Sequence, residues 1–331
     1  MKRIFCRRTF PTLLWGILFL PVFSPSVSLA EKRPVKVETF TYKKVGDLEI
    51  KLDVHRIDDQ QLRPVAVWCH GGALINGGRE GVGRAGRDLV QAGYCVVSLD
   101  YRLAPETKLP EIISDLEDAF RWIRANGKTK FRGDTSKTAV LGGSAGAYLT
   151  MTAGFRIQPR PDCLVAFWGY GDLVGPWMSQ PSPHLRHHLN TLNKTEMTAI
   201  ENGPAISNSK DRQRDGGAYY QTCRRLGIWT DKVSGFSPER EPEKIGPYMA
   251  LGNVTSDYPP ILMIHGTKDT DVPHEQSELM AEECKQHGVE YRLISVKNGE
   301  HGLQYAARED IEKAYAAVLP FIAKYVPPPA F

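Results

Sequence analysis

Long apolar runs are missing from this sequence. After Phe23 no uninterrupted apolar stretch approaches the roughly 20 residues that a membrane-spanning helix needs. Cysteine is scarce, six in 331 residues, which excludes a small disulfide scaffold. Repeats and low-complexity tracts are absent apart from Pro327-Pro328-Pro329. An excess of one charge is missing as well. The formal +4 comes from 42 Lys+Arg against 38 Asp+Glu, and four of those bases (Lys2, Arg3, Arg7 and Arg8) lie in the first thirty residues beside no acid. Without them the chain carries 38 bases and 38 acids, so nothing electrostatic points to nucleic acid or to an anionic membrane. The 41% hydrophobic and 24% charged fractions are those of a globular protein.

What is present begins with an address. Met1–Arg8 is basic, Thr12–Phe23 is a nearly apolar run of twelve, and Ser28-Leu29-Ala30 places small residues before Glu31. This three-part pattern predicts a secretory signal peptide over residues 1–30. The run is too short to span a bilayer comfortably, so no stable membrane insertion is expected after cleavage. Arg7-Arg8-Thr9-Phe10 also fits a twin-arginine export motif. The predicted product is exported, periplasmic or secreted, and runs over 31–331, or 301 residues. Five cysteines stay with it. Cys69 and Cys95 fall at opposite ends of two predicted strands and are expected to be buried free thiols, whereas a Cys223–Cys284 pair is left open.

The order of elements predicts one α/β domain. Val35–Val54 alternates with charged residues, as antiparallel edge strands do. Short apolar runs at 65–69, 95–99, 138–141, 164–168, 261–265 and 291–296 read as strands, the continuous ones as buried on both faces. Helical spacing covers 111–126, 145–155, 275–287 and 310–325. Strand and helix in alternation imply a mostly parallel sheet covered by helices on both faces. The 92 residues from 169 to 260 contain no buried strand run and are rich in Pro, Asn, Arg and aromatics. They are expected to form a cap insertion over the carboxyl ends of the strands, with a separate second domain as the alternative.

Candidate chemistry lies at those strand ends. Gly142-Gly143-Ser144-Ala145-Gly146 matches G-x-S-x-G between a strand and a helix, a turn sharp enough to lift a serine Oγ into a cleft. His70-Gly71-Gly72-Ala73 follows the strand ending at Cys69 and leaves backbone N–H groups uncovered. Gly72 and Ala145 are the expected oxyanion donors, with Gly71 a third, while His70 is expected to hold the loop. Gly266-Thr267-Lys268-Asp269-Thr270-Asp271-Val272-Pro273 offers an acid. Asp269 is the first choice and Asp271 the reserve, the latter better suited to capping the helix near Glu275. His301, beside Gly302 in the loop after the last strand, supplies an accessible imidazole with an expected pKa of about 6.5 unless its surroundings perturb it.

These residues resemble the α/β-hydrolase superfamily, more narrowly the HGG-type carboxylesterases around hormone-sensitive lipase and the bacterial acetyl-xylan and feruloyl esterases. Asp100-Tyr101-Arg102-Leu103-Ala104-Pro105-Glu106 matches that family's D-Y-R-L-A-P-E segment. The resemblance covers roughly residues 65–326. It implies the α/β-hydrolase fold and a Ser144–His301–Asp269 triad that cleaves carboxylic esters through an acyl-enzyme, without cofactor or metal. Three departures pull away from the lipid esterases: Gly143 replaces the usual Asp before the nucleophile, the acid segment reads G-T-x-D-x-x-V-P, and a substantial cap before the first strands is missing. They favour a small-molecule or carbohydrate ester. A serine peptidase of the same fold and a non-catalytic binding module are the alternatives. Trp168, Tyr170, Trp177, Tyr219, Tyr220 and Trp229 are available either to stack on a substrate or to fill the cap's own core. His184, His187 and His188 lack a visible fourth partner for a metal.

Overall fold

The structure, a computed structural model, describes Met1 and residues 33–329. The expected signal peptide falls outside the described residues, Met1 apart. In the compact unit from Arg33 onward, the strands are β1 (Val35–Val45), β2 (Leu48–Ile57), β3 (Arg63–Cys69), β4 (Cys95–Leu99), β5 (Gly133–Gly143), β6 (Cys163–Phe167), β7 (Ile261–Gly266) and β8 (Tyr291–Val296). They form one sheet in the order β1-β2-β4-β3-β5-β6-β7-β8. The first two strands run antiparallel to their neighbours and the other six run parallel. The continuous apolar runs account for this placement. Every residue of β4, β6 and β7 is buried, as strands covered on both faces require, whereas β1 at the edge has one buried residue among eleven.

The helices are α1 (Gly83–Gln91), α2 (Leu109–Phe131), α3 (Ala145–Arg156), α4 (Pro176–Ser179), α5 (Lys194–Glu201), α6 (Gly216–Leu226), α7 (Trp229–Ser234), α8 (Pro242–Ile245), α9 (Glu275–Gln286), α10 (Arg308–Ala316) and α11 (Val318–Tyr325). Two apolar clusters lie against the sheet. One gathers α2, α3 and α9, and the other gathers α1, α10 and α11.

Two differences from expectation have local causes. The single helix expected over 310–325 is two helices meeting at Ala317. Pro320 has no N–H to give the carbonyl of Ala316, so the ladder restarts with proline in the first turn of α11. Helix α1 is not among the expected helices: it is short and Gly83 and Gly86 weaken its propensity, although Ala85, Gly86, Leu89 and Val90 form a buried face at helical spacing. Gly86 is nonetheless fitted to its place: a Cβ there would lie 2.7 Å from the Cβ of Val82.

Residues 169–260 contribute no strand. They fold as α4–α8 with 3-10 turns at Leu185–His188, Ser209–Asp211 and Gly246–Tyr248. Tyr170, Tyr219 and Trp229 are fully buried in the same cluster as α2 and α3, so the cap and sheet share one core. Three of the six candidate aromatics are thus spent on packing. Register sets Cys69 opposite Leu99 and Cys95 opposite Val65, at the two ends of paired strands. All five described cysteines, Cys223 and Cys284 included, are buried and free. No helix among the described residues is long and apolar enough to cross a membrane.

Candidate active site

Strand β5 delivers Ser144 and helix α3 leaves from it. The turn holds Ser144 at φ +57° and ψ −123°, a region that costs a side-chain-bearing residue of order 1–3 kcal/mol. Its glycines are steric necessities. A Cβ on Gly142 would stand 2.4 Å from the Gly146 carbonyl oxygen, and one on Gly146 2.1 Å from that of Cys69. The Ser144 N–H donates to the Phe167 carbonyl at 2.9 Å, which fixes the elbow to β6.

The loop after β8 brings His301 to this serine. Its Nε2 lies 3.1 Å from Ser144 Oγ, and its Nδ1 lies 2.8 Å from Asp269 Oδ2, in the loop after β7. Asp269 is locked from the other side. Its Oδ1 accepts the N–H groups of Asp271 and Val272, both at 2.9 Å, and His265 Nε2 stands 3.3 Å from Oδ2. Burial alone would raise the Asp269 carboxyl, but the hydrogen bonds from His265 and His301 outweigh it and hold it at about 2. Burial pulls His301 down, yet the bond to Asp269 and the charges of Asp271 and Asp269 win, so its pKa lies above the ordinary imidazole value. The site thus perturbs the ring upward from the ordinary value expected in the absence of such neighbours.

Across the cleft, Gly72 sits at φ +114°, where a Cβ would be 2.2 Å from the Asn76 carbonyl oxygen. Gly71 is pressed against the elbow, with its virtual Cβ 2.7 Å from the Gly143 oxygen. Among the described residues no acceptor takes the N–H of Gly71, Gly72 or Ala145. Ala145 is buried and the two glycines are half-buried, and donors left without partners suit an oxygen that arrives with a ligand. His70 holds this loop. It stacks on Tyr101 at 4.2 Å, its Nδ1 lies 2.8 Å from the Gly71 carbonyl oxygen, and burial pulls its pKa down to about 4. The segment 100–106 is scaffold: Asp100 pairs with Arg79, Arg102 with Asp115, and Glu106 with Arg212 of the cap. Arg212 also donates to the carbonyls of Ile75 and Ala104, tying the cap to the loop that carries Gly71 and Gly72.

Several residues at the site carried no motif. Glu300 accepts the N–H groups of His301 and Thr270 and the Thr270 hydroxyl, stitching the histidine loop to the acid loop. Arg186, on the cap, donates to both Glu300 oxygens at 3.0–3.1 Å and lies 3.3 Å from Asp271 Oδ2. Asp271 does not cap α9. Its carboxylate turns into the cap, to His187 at 2.9 Å, Tyr220 at 2.5 Å and Arg224 at 3.3 Å, and reaches within 3.7 Å of His301 Nε2. The neighbouring histidines are engaged separately, His187 also with Ser182 Oγ and His188 with the Ser182 carbonyl. A short sequence window cannot reveal the pairs that Arg186, His187, Tyr220 and Arg224 make with Glu300 and Asp271, because their members are separated by 47 to 114 residues. Trp168 lies half-buried beside His301, ring centroids 6.3 Å apart.

Known proteins share this framework. A family model described as the alpha/beta hydrolase fold matches residues 66–305. The chain is 29% identical over 310 residues to the non-reducing polyketide synthase adrD of Penicillium roqueforti, a match covering 80% of this chain and 12% of the synthase. It is 28% identical over 237 residues to the esterase LipC of Mycobacterium tuberculosis, covering 71% of this chain and 52% of LipC. The chain therefore spans about an eighth of the synthase and about half of LipC. Among solved structures, a Staphylococcus aureus protein of unknown function has the same fold, with a TM-score of 0.70 at 21% identity over 87% of this chain and 99% of that one.

Proposed function

The chain belongs to the α/β-hydrolase fold family, and from that premise we propose that it is an exported serine esterase with Ser144, His301 and Asp269 as its triad. The observation that carries this reading is the line of contacts at the sheet's carboxyl edge: Asp269 at 2.8 Å from His301 Nδ1, and Ser144 at 3.1 Å from Nε2. His301 takes the proton of Ser144 as Oγ attacks the ester carbonyl, and Asp269 fixes the tautomer and stabilises the imidazolium. The oxyanion rests against the N–H groups of Gly72 and Ala145, with Gly71 a third donor. His301 returns its proton to the leaving alcohol. Water, activated by the same ring, then hydrolyses the acyl-enzyme.

The alcohol is proposed to be a carbohydrate. Support comes from Gly143, whose virtual Cβ lies 3.2 Å from the Trp168 indole nitrogen. A larger residue there would displace an aromatic ring that flanks the site and suits a sugar face. Export rests on the leader pattern of residues 1–30, and Glu31 is the expected first residue of the mature protein.

The test is a panel of acetyl, butyryl and feruloyl esters of sugars and of simple alcohols, set beside a peptide amide. Sugar esters are expected to give the highest kcat/KM, and Ser144→Ala to lose about 10^4-fold or more. Wild-type turnover in Ser144→Ala would sink the triad, and preference for the amide would make the protein a peptidase.

A further inference from the structure

Asp271 stands two residues beyond Asp269 and is 7% exposed, a costly position for a carboxylate unless it is well paired. Its side-chain partners, His301 apart, all come from the cap: His187, Tyr220, Arg224 and Arg186. A turn acid or a helix cap needs no such cage. The cage instead aims the carboxylate. Asp269 meets His301 at Nδ1, whereas Asp271 Oδ2 lies 3.7 Å from Nε2, the nitrogen that faces Ser144. At that distance Asp271 is too far to hydrogen-bond Nε2 away from the serine, yet near enough to attract a positive ring.

We infer that Asp271 is a positioning residue for the reaction, a second carboxylate that the cap holds beside His301 to steady the imidazolium between its two proton transfers. The inference rests on the proposed serine mechanism. The proton moves from Ser144 to Nε2 and on to the leaving alcohol, and Asp271 takes none of it. Four charged groups bear on the ring: Asp269 behind it, Asp271 at its front edge, Glu300 on its own peptide N–H, and Arg186 across the mouth. His265 shares Asp269 from behind, and Trp168 adds an uncharged wall. Arg186 bridges Asp271 and Glu300 and is the one cation among the four, so it opposes the two aspartates. The cap is thereby wired to the chemistry.

The experiment compares pH profiles of kcat/KM for the wild type, Asp271→Asn and Arg186→Gln, using a neutral activated ester. Loss of the Asp271 charge is expected to move the acid limb down by about half a pH unit or more, and to lower the plateau kcat about tenfold with little change in KM. Loss of the Arg186 charge is expected to move the limb up. Opposite shifts are what a purely structural role would not produce. An unmoved limb in Asp271→Asn, or shifts of the same sign in both variants, overturns the inference. Where circular dichroism shows Asp271→Asn unfolded, the half-exposed Arg186→Gln decides alone: an upward shift supports the inference and an unmoved limb overturns it. Ser144→Ala keeps the two levels apart. Its full activity would sink the serine mechanism, whereas an inactive Ser144→Ala beside unmoved limbs would sink only the role of Asp271.

Discussion

His301 answers to opposed influences. Burial disfavours its charge, and two aspartates restore it. As the proposed general base it must be neutral, so the acid limb of kcat/KM is expected above the ordinary histidine value of about 6.5, and a limb at or below that value would contradict the proposal. The raised pKa also has a stability consequence. Its contribution is complete below the unfolded histidine pKa and is lost as pH rises through the folded one. Asp269 behaves in the opposite sense. Its carboxyl is held at about 2, so its stabilisation is present above the unfolded value of about 3.9 and fades as pH falls through the folded one. Asp269→Asn supplies the wrong hydrogen-bonding pattern to Nδ1, and kcat is expected to fall about 10^3–10^4-fold. A smaller loss than at Asp271→Asn would reverse the order of the two acids.

At the level of elements, the elbow between β5 and α3 depends on missing side chains. A Cβ on Gly146 would overlap the Cys69 carbonyl oxygen at 2.1 Å. Because that neighbour is backbone in the next strand, it cannot swing aside. Gly146→Ala is expected to cost about 3 kcal/mol or more in chemical denaturation. This part of the molecule was legible in sequence, since a pentapeptide and a buried run state their own geometry. Ser144, Asp269 and His301 were singled out on related ground: each lies in the turn or loop after a strand, continuous and apolar for Asp269 but half-exposed for His301, and the fold brings the ends of β5, β7 and β8 together. What stayed hidden was of two kinds. Helix α1 is short and carries two glycines, so its propensity is weak although its buried face is regularly spaced. The cage around Asp271 and the Arg186–Glu300 bridge join residues far apart in the chain, and local periodicity carries no trace of such partners.

At the scale of the molecule, the cap is fastened through buried charge. Arg212 and Glu106 are each nearly inaccessible, at 4% and 3% side-chain exposure, and they pair at 2.7 Å. Removing one partner strands the other, so Arg212→Met is expected to lower unfolding stability by about 3–5 kcal/mol. The same change frees the carbonyls of Ile75 and Ala104 beside the Gly71–Gly72 loop. An unchanged denaturation midpoint would show that cap and sheet are not joined there.

The free cysteines described with the fold turn the molecule into its own clock. Burial pushes the thiols of Cys69, Cys95, Cys223 and Cys284 up to about 12, so at neutral pH each is both out of reach and almost wholly protonated. The four are spread over β3, β4, α6 and α9, on both the sheet and the cap. An alkylating reagent therefore reads how often each region opens. Equal labelling rates at all four would mean that cap and sheet come apart in one event, and faster labelling at Cys223 would time the lifting of the cap alone.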